Sequence, residues 1–247
     1  MKLAFLYAGQ GTQHPGMGRD LYETYPAFRQ VLDSAQLDFD LKELCFEGPE
    51  EKLSQTQYTQ PCMVAFAAGV TAVLREKGII PEVAAGLSLG EYSALQAAGA
   101  FDSKTAVELV AFRGKAMAQA VQDRPCGMAA VLMLGREQLA ECCRQAGEAG
   151  VVEIANYNCP GQLVISGSNE AIDAACAKLT EAGAKRALKL NVGGAFHSPL
   201  MEPARVELEA AIKAAPFKAP ICPIYQNVDA KPHTDPAEIK TNLIAQL

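Results

Sequence analysis

Apolar positions along the chain switch between two periods. Leu3 to Ala8 is a short apolar run that meets a glycine-rich stretch, Gly9 to Gly18, and predicts a buried strand followed by a loop. Asp20 to Gln36 reads as a helix, 37 to 57 as short helices and turns, and Pro61 to Glu76 as a very apolar, buried helix ended by Gly78. Ile79 to Ala85 predicts a strand. A helix follows Ser88 to about Ala98, and Asp102 or Ser103 caps the next, which runs to about Val121. Strands alternating with helices imply a mostly parallel sheet with helices on both faces.

From about residue 125 the rhythm changes. A strand over 127–134, a helix over 136–146, strands over 151–157 and 162–166 joined by a turn at 158–161, a helix over 169–182 capped by Ser168, and a strand over 185–190 follow in order. That β-α-β-β-α-β succession is the signature of a ferredoxin-like unit. We therefore expect an α/β fold in which a small lobe, 125–191, is inserted into a large α/β lobe formed by 1–124 and 192–247. Pro199 to Ala215 is again helical, Cys222 to Asn227 predicts a strand, and Asp235 caps a last helix with Pro236 at its first position.

Composition narrows the function. A chain of 247 residues with 49% hydrophobic and 20% charged residues buries a sizeable core. A net charge of −6 argues against nucleic acid, whose backbone asks for a basic face. None of the eight cysteines sits in a CxxC pair, and three histidines leave no metal-ligand spacing, so no metal is expected. Scattered cysteines read as reduced and cytoplasmic. No apolar segment is long enough to span a bilayer, and the N-terminal run is too short for a signal peptide.

Four features could carry chemistry. Gly86-Leu87-Ser88-Leu89-Gly90 is a G-x-S-x-G motif between an apolar strand and a helix, where a serine stands on a sharp turn facing the amides of a helix N-terminus. A serine hydroxyl needs a base. Of His14, His197 and His233, the residue before the helix at 199, His197, suits that role, while the other two read as surface or satisfied core residues. Arg113 lies mid-helix among Ala106, Leu109, Val110, Ala116 and Met117, so it interrupts a buried stripe and requires an anion. An internal Asp or Glu, or a substrate carboxylate held by two parallel hydrogen bonds, would supply it. Gln10 follows the first strand, at an end where sites form in open α/β sheets, although a plain glycine turn also accounts for it. An α/β-hydrolase-type esterase or thioesterase also uses G-x-S-x-G and would draw its acid from Asp102, Asp123 or Asp173. A non-catalytic binding module is a third reading.

Together these pieces resemble the bacterial malonyl-CoA:acyl carrier protein transacylases and the related acyltransferase domains of polyketide synthases. The matching stretches are AGQGTQ at 8–13, GLSLGEYSAL at 86–95, FRGKAM at 112–117, NYNCPGQLVISG at 156–167, AFHSPLM at 195–201 and PIYQNVDA at 223–230. The resemblance implies that Ser88 is acylated by malonyl-CoA and passes the malonyl group to the phosphopantetheine thiol of an acyl carrier protein, in fatty acid biosynthesis. It also implies that His197 is general base and then acid, that a backbone carbonyl matching Gln226 orients it, that the amides of Gln10 and Leu89 form the oxyanion hole, and that Arg113 binds the malonyl carboxylate. The resemblance implies no metal and no cofactor, and a cytoplasmic monomer without membrane partner is expected. The family usually has a histidine where this chain has Leu87, beside the acyl pocket, and it continues with further strands and helices past the position of Leu247.

Overall fold

The computed structural model describes residues 2–247 and contains two compact units. One runs to Lys115 and resumes over Glu207–Gln246; the other is Ala116–Val206, with Leu247.

The first unit holds a four-stranded sheet of β1 (Ala4–Tyr7), β2 (Val83–Gly86), β7 (Ile224–Tyr225) and β8 (Pro232–His233), in that order. β1, β2 and β7 run parallel, and β8 returns antiparallel to β7. Phe5, Ala84 and Ile224 share one cross-strand row and are buried, and α6 (Leu89–Ala97) packs on β1 and β2. Burying a large apolar side chain in such a layer contributes roughly 1.5–3 kcal/mol, and every residue of α6 is buried.

The observed elements depart from the expected ones in several places, and the strand expected over Ile79 to Ala85 is confined to β2, Val83–Gly86. The helix expected over 20–36 is two, α1 (Arg19–Thr24) and α2 (Pro26–Ser34), because Tyr25 precedes a proline and is held extended at φ −115°, ψ 112°. The helix expected from Pro61 begins earlier. After α3 (Leu41–Glu47) and α4 (Glu50–Leu53), α5 spans Thr56–Glu76 and carries Pro61 inside it. The added turn places Gln60 in the interior. The strand expected over 222–227 shrinks to two residues. After Tyr225 the chain doubles back, with the Gln226 amide donating to Lys231 O and the Ala230 amide to Gln226 O. α7 (Ser103–Ala120) is capped by Asp102, which accepts from the Thr105 amide at 2.8 Å.

The second unit carries β3 (Cys126–Leu132), α8 (Arg136–Ala146), β4 (Val152–Cys159), β5 (Gln162–Ser168), α9 (Asn169–Glu181) and β6 (Arg186–Lys189). The strands form an antiparallel sheet in the order β4-β5-β3-β6, the ferredoxin-like arrangement. Alternate residues Ala129, Val131, Leu163 and Ile165 meet Leu139, Cys142 and Cys143 of α8 and Ile172, Ala175 and Leu179 of α9 in one core. The turn between β4 and β5 narrows to Pro160-Gly161, with Gly161 at φ 85°. Ser168 stands at the N-cap of α9 without a side-chain cap. The helix expected over 199–215 opens as a 3₁₀ turn, Pro199–Met201, and continues as α10 (Glu202–Ala214); α11 (Pro236–Ala245) follows β8, capped by Asp235.

Candidate active site

β2 ends at Gly86 and α6 begins at Leu89, so Leu87 and Ser88 alone make the turn. Ser88 has φ 51° and ψ −99°, a region that costs a residue with a side chain about 1–3 kcal/mol and persists only where its surroundings impose it. The two flanking glycines explain how. A Cβ on Gly86 would lie 2.0 Å from the carbonyl carbon of Gly90, and a Cβ on Gly90 would lie 2.3 Å from Tyr7 O. Strand, helix and the end of β1 therefore touch backbone to backbone around Ser88. The Leu87 amide donates to Tyr7 O at 3.1 Å, and a Cβ on Gly9 would stand 3.0 Å from Leu87 O. This places Gln10, the next residue, beside the turn. Leu89 opens α6, where the first amides have no acceptor within their own helix. The Leu87 side chain is half exposed.

Arg113 reaches the serine from α7. It is 1% exposed. Its Nη2 donates to Ser88 Oγ at 3.1 Å and to Gln246 Oε1 at 3.2 Å, its Nη1 donates to Gln60 Oε1 at 2.9 Å, and its guanidinium stands 5.4 Å from the Tyr92 ring. Among the described residues Arg113 makes no ion pair with a carboxylate, and its Nε is buried without a hydrogen-bond partner. Burial holds its pKa below the usual arginine value and pushes the Tyr92 phenol up to about 12.

The nearest buried carboxylate is Glu91, 0% exposed, in the first turn of α6. It accepts from Gln226 Nε2 at 3.0 Å, the Asn227 amide at 2.8 Å and Gln246 Nε2 at 3.1 Å. Burial raises its pKa, against the pull of those hydrogen bonds and of Arg113. Gln246 thus stands between the two buried charges, accepting from Arg113 and donating to Glu91, and its Nε2 also donates to Ser88 O at 3.0 Å. Asn227 completes the set: its Oδ1 accepts from the Ser88 amide at 2.6 Å and its Nδ2 donates to Gly86 O at 2.7 Å.

Gln60, Glu91, Asn227 and Gln246 were not singled out from the sequence. For Glu91 a signal existed: it is the single charged residue of α6. Gln226 O accepts from the Ala230 amide at 2.9 Å, while its side chain holds Glu91 and meets Ile239 O and Asn242 Nδ2.

His197 belongs to the second unit, half-buried, at φ 56°. Ser198 braces it locally, donating to Ala195 O at 2.7 Å and accepting from the Leu200 amide at 3.3 Å. Of the other histidines, His14 bonds Pro15 O, and His233 bonds Asp229 and Glu238. Of the acids an esterase triad would draw on, Asp102 caps α7, Asp173 pairs with Lys189 on the surface, and Asp123 is exposed. No cluster of three metal-ligating side chains and no helix long and apolar enough to cross a membrane occurs among the described residues.

Residues 4–244 match the acyl transferase domain model. The chain is 44% identical over 249 residues to the malonyl CoA-acyl carrier protein transacylase of Bacillus subtilis (strain 168), covering all of this chain and 78% of the relative. It is 41% identical to that of Escherichia coli (strain K12), with 100% and 81% covered. The acyl carrier protein S-malonyltransferase of Vibrio cholerae superposes with a TM-score of 0.95 at 43% identity, over 100% of this chain and 82% of that one. A malonyl-transacylase solved in complex with its type II polyketide acyl carrier protein superposes with a TM-score of 0.95 at 38% identity, over 100% and 81%. The chain belongs to the acyl transferase domain family and, within it, to the malonyl-CoA:acyl carrier protein transacylases.

Proposed function

We propose that this chain is an acyltransferase that moves a malonyl group from malonyl-CoA to the phosphopantetheine thiol of an acyl carrier protein, in fatty acid biosynthesis; the name of its relatives, malonyl CoA-acyl carrier protein transacylase, supports the malonyl transfer. The observation that carries the reading is the meeting of Ser88 Oγ with a buried guanidinium whose other hydrogen-bond acceptors are the neutral amides of Gln60 and Gln246. A buried cation with no ion pair among the described residues, beside a nucleophile, suits a substrate that brings both an acyl carbon and a carboxylate.

In the reaction, Arg113 turns from Ser88 Oγ to the malonyl carboxylate, and His197 takes the hydroxyl proton as Ser88 Oγ attacks the thioester carbonyl. The tetrahedral oxyanion lies against the amides of Gln10 and Leu89, reinforced by the positive end of α6. The C–S bond breaks, His197 returns its proton to the leaving coenzyme A thiolate, and a malonyl ester remains on Ser88. The carrier thiol then attacks that ester with His197 again as base, and Ser88 recovers its proton. The second lone pair of Gln226 O is the orienting acceptor assigned to His197. Every step uses only side chains and amides of this chain and the two thiols.

Intact-mass spectrometry after mixing with malonyl-CoA tests the reading. A single malonyl adduct is expected, mapping to Ser88 and absent from Ser88→Ala. An adduct that persists in that variant, or maps to Ser93 or a cysteine, overturns the assignment. His197→Ala is expected to slow acylation by about 10²–10⁴-fold.

A further inference from the structure

Ser88 and Glu91 are spaced as a capping box, the S-x-x-E pattern in which serine and glutamate side chains satisfy each other's amides at a helix start. Here the box is open. Ser88 occupies the N-cap of α6 but its hydroxyl makes no cap bond; it accepts from Arg113 instead. The Glu91 carboxylate, which would take the Ser88 amide, accepts from Gln226, Asn227 and Gln246. The Ser88 amide is served from outside the helix by Asn227 Oδ1 at 2.6 Å, and the same side chain donates to Gly86 O at 2.7 Å. One carboxamide thereby bridges both sides of a turn whose central residue sits at φ 51°.

We propose that Asn227, anchored through its own amide by Glu91, is a positioning residue that replaces the capping box and so keeps the Ser88 hydroxyl out of helix capping and available for attack. The inference rests on Ser88 being the nucleophile. Removing the carboxamide orphans the Ser88 amide and the Gly86 carbonyl, and Ser88 and Glu91 can then close the ordinary box. In that arrangement the hydroxyl accepts from its own helix, turned away from the thioester.

The test is the single-turnover rate of malonyl-enzyme formation at saturating malonyl-CoA, read by quenched intact mass, beside the malonyl-CoA concentration giving half-maximal rate and the melting temperature. Asn227→Ala should lower the saturating rate by roughly 10–100-fold, the scale of a misplaced reacting group, with the half-saturating concentration unchanged. Asn227→Asp keeps the acceptor for Ser88 but sets a second oxygen against Gly86 O. Its rate relative to wild type should rise as pH falls, because a protonated Asp restores the donor. Two results overturn the proposal: Asn227→Ala acylating at the wild-type saturating rate, or Asn227→Asp keeping a constant ratio to wild type across pH. A wild-type chain that forms no adduct on Ser88 sinks the nucleophile assignment itself, and this inference with it.

Discussion

At the scale of single residues, Arg113 faces two neutral amides and one hydroxyl, where the helix pattern by itself pointed first to an internal carboxylate. Its charge is balanced at a distance by Glu91, through Gln246. A hydrogen bond to a charged group contributes roughly 1.5–3 kcal/mol, so two of them to a malonyl carboxylate separate malonyl from acetyl strongly. Arg113→Ala should lose malonyl transfer by far more than acetyl transfer. It should also lower the melting temperature, because two hydrogen bonds from Arg113 to buried Gln60 and Gln246 are lost. The malonyl-to-acetyl ratio is the discriminating measurement, and an unchanged ratio removes the carboxylate role. Arg113→Lys keeps the charge but not the planar fork, and its ratio should fall between the two.

At the scale of elements, the strand–turn–helix unit around Ser88 depends on backbone contact. Gly90→Ala would drive a methyl to 2.3 Å from Tyr7 O, a strand that cannot yield without unseating β1. Overpacking of this kind typically costs about 1–3 kcal/mol, and the urea midpoint of the variant should fall accordingly, with acylation falling alongside. The turn between β7 and β8 has its own fastening. His233 is 9% exposed on its side chain and lies 3.1 Å from Asp229 and 3.2 Å from Glu238 of α11. Burial pulls its pKa down, but the two carboxylates outweigh burial and leave it above the ordinary value of 6.5. A histidine with a raised folded pKa contributes stability that is complete below the unfolded pKa and is lost as pH rises through the folded one. Stability should therefore decline from about pH 6.5 upward. His233→Gln should flatten that part of the curve in pH-dependent denaturant titrations, and an identical slope in both proteins removes the assignment.

At the scale of the whole molecule, two expectations concern different parts of the chain. The ferredoxin-like sheet has one core, with Leu139 and Ile165 both fully buried. Leu139→Ala should cost about 2–5 kcal/mol, read as a shift in denaturant midpoint. The proposed chemistry concerns the chain as a catalyst: coenzyme A leaves before the carrier thiol attacks, so initial rates against malonyl-CoA at several carrier concentrations should give parallel double-reciprocal lines. Intersecting lines would show direct transfer without the seryl ester.

The amino-acid sequence by itself determined the elements and their order. Periodicity, prolines, caps and glycines act over a few residues, which is why the strand before Ser88, the helix after it, the Asp102 and Asp235 caps and the β-α-β-β-α-β succession were legible. Errors came where a local rule was missed, as at Tyr25 before Pro26, or where the chain turned back on itself, as after Tyr225, where the Gln226 amide donates to Lys231 O. The buried stripe marked Arg113 as facing inward, but which groups it would meet was left open. Only the tertiary structure decided that. Gln246 and Arg113 are separated by 133 residues, Asn227 and Ser88 by 139, and Gln246 and Glu91 by 155. Such pairings carry no local periodic or propensity signal. They are selected when the whole core closes, because each buried amide, carboxylate and guanidinium must find a partner in the space that packing leaves.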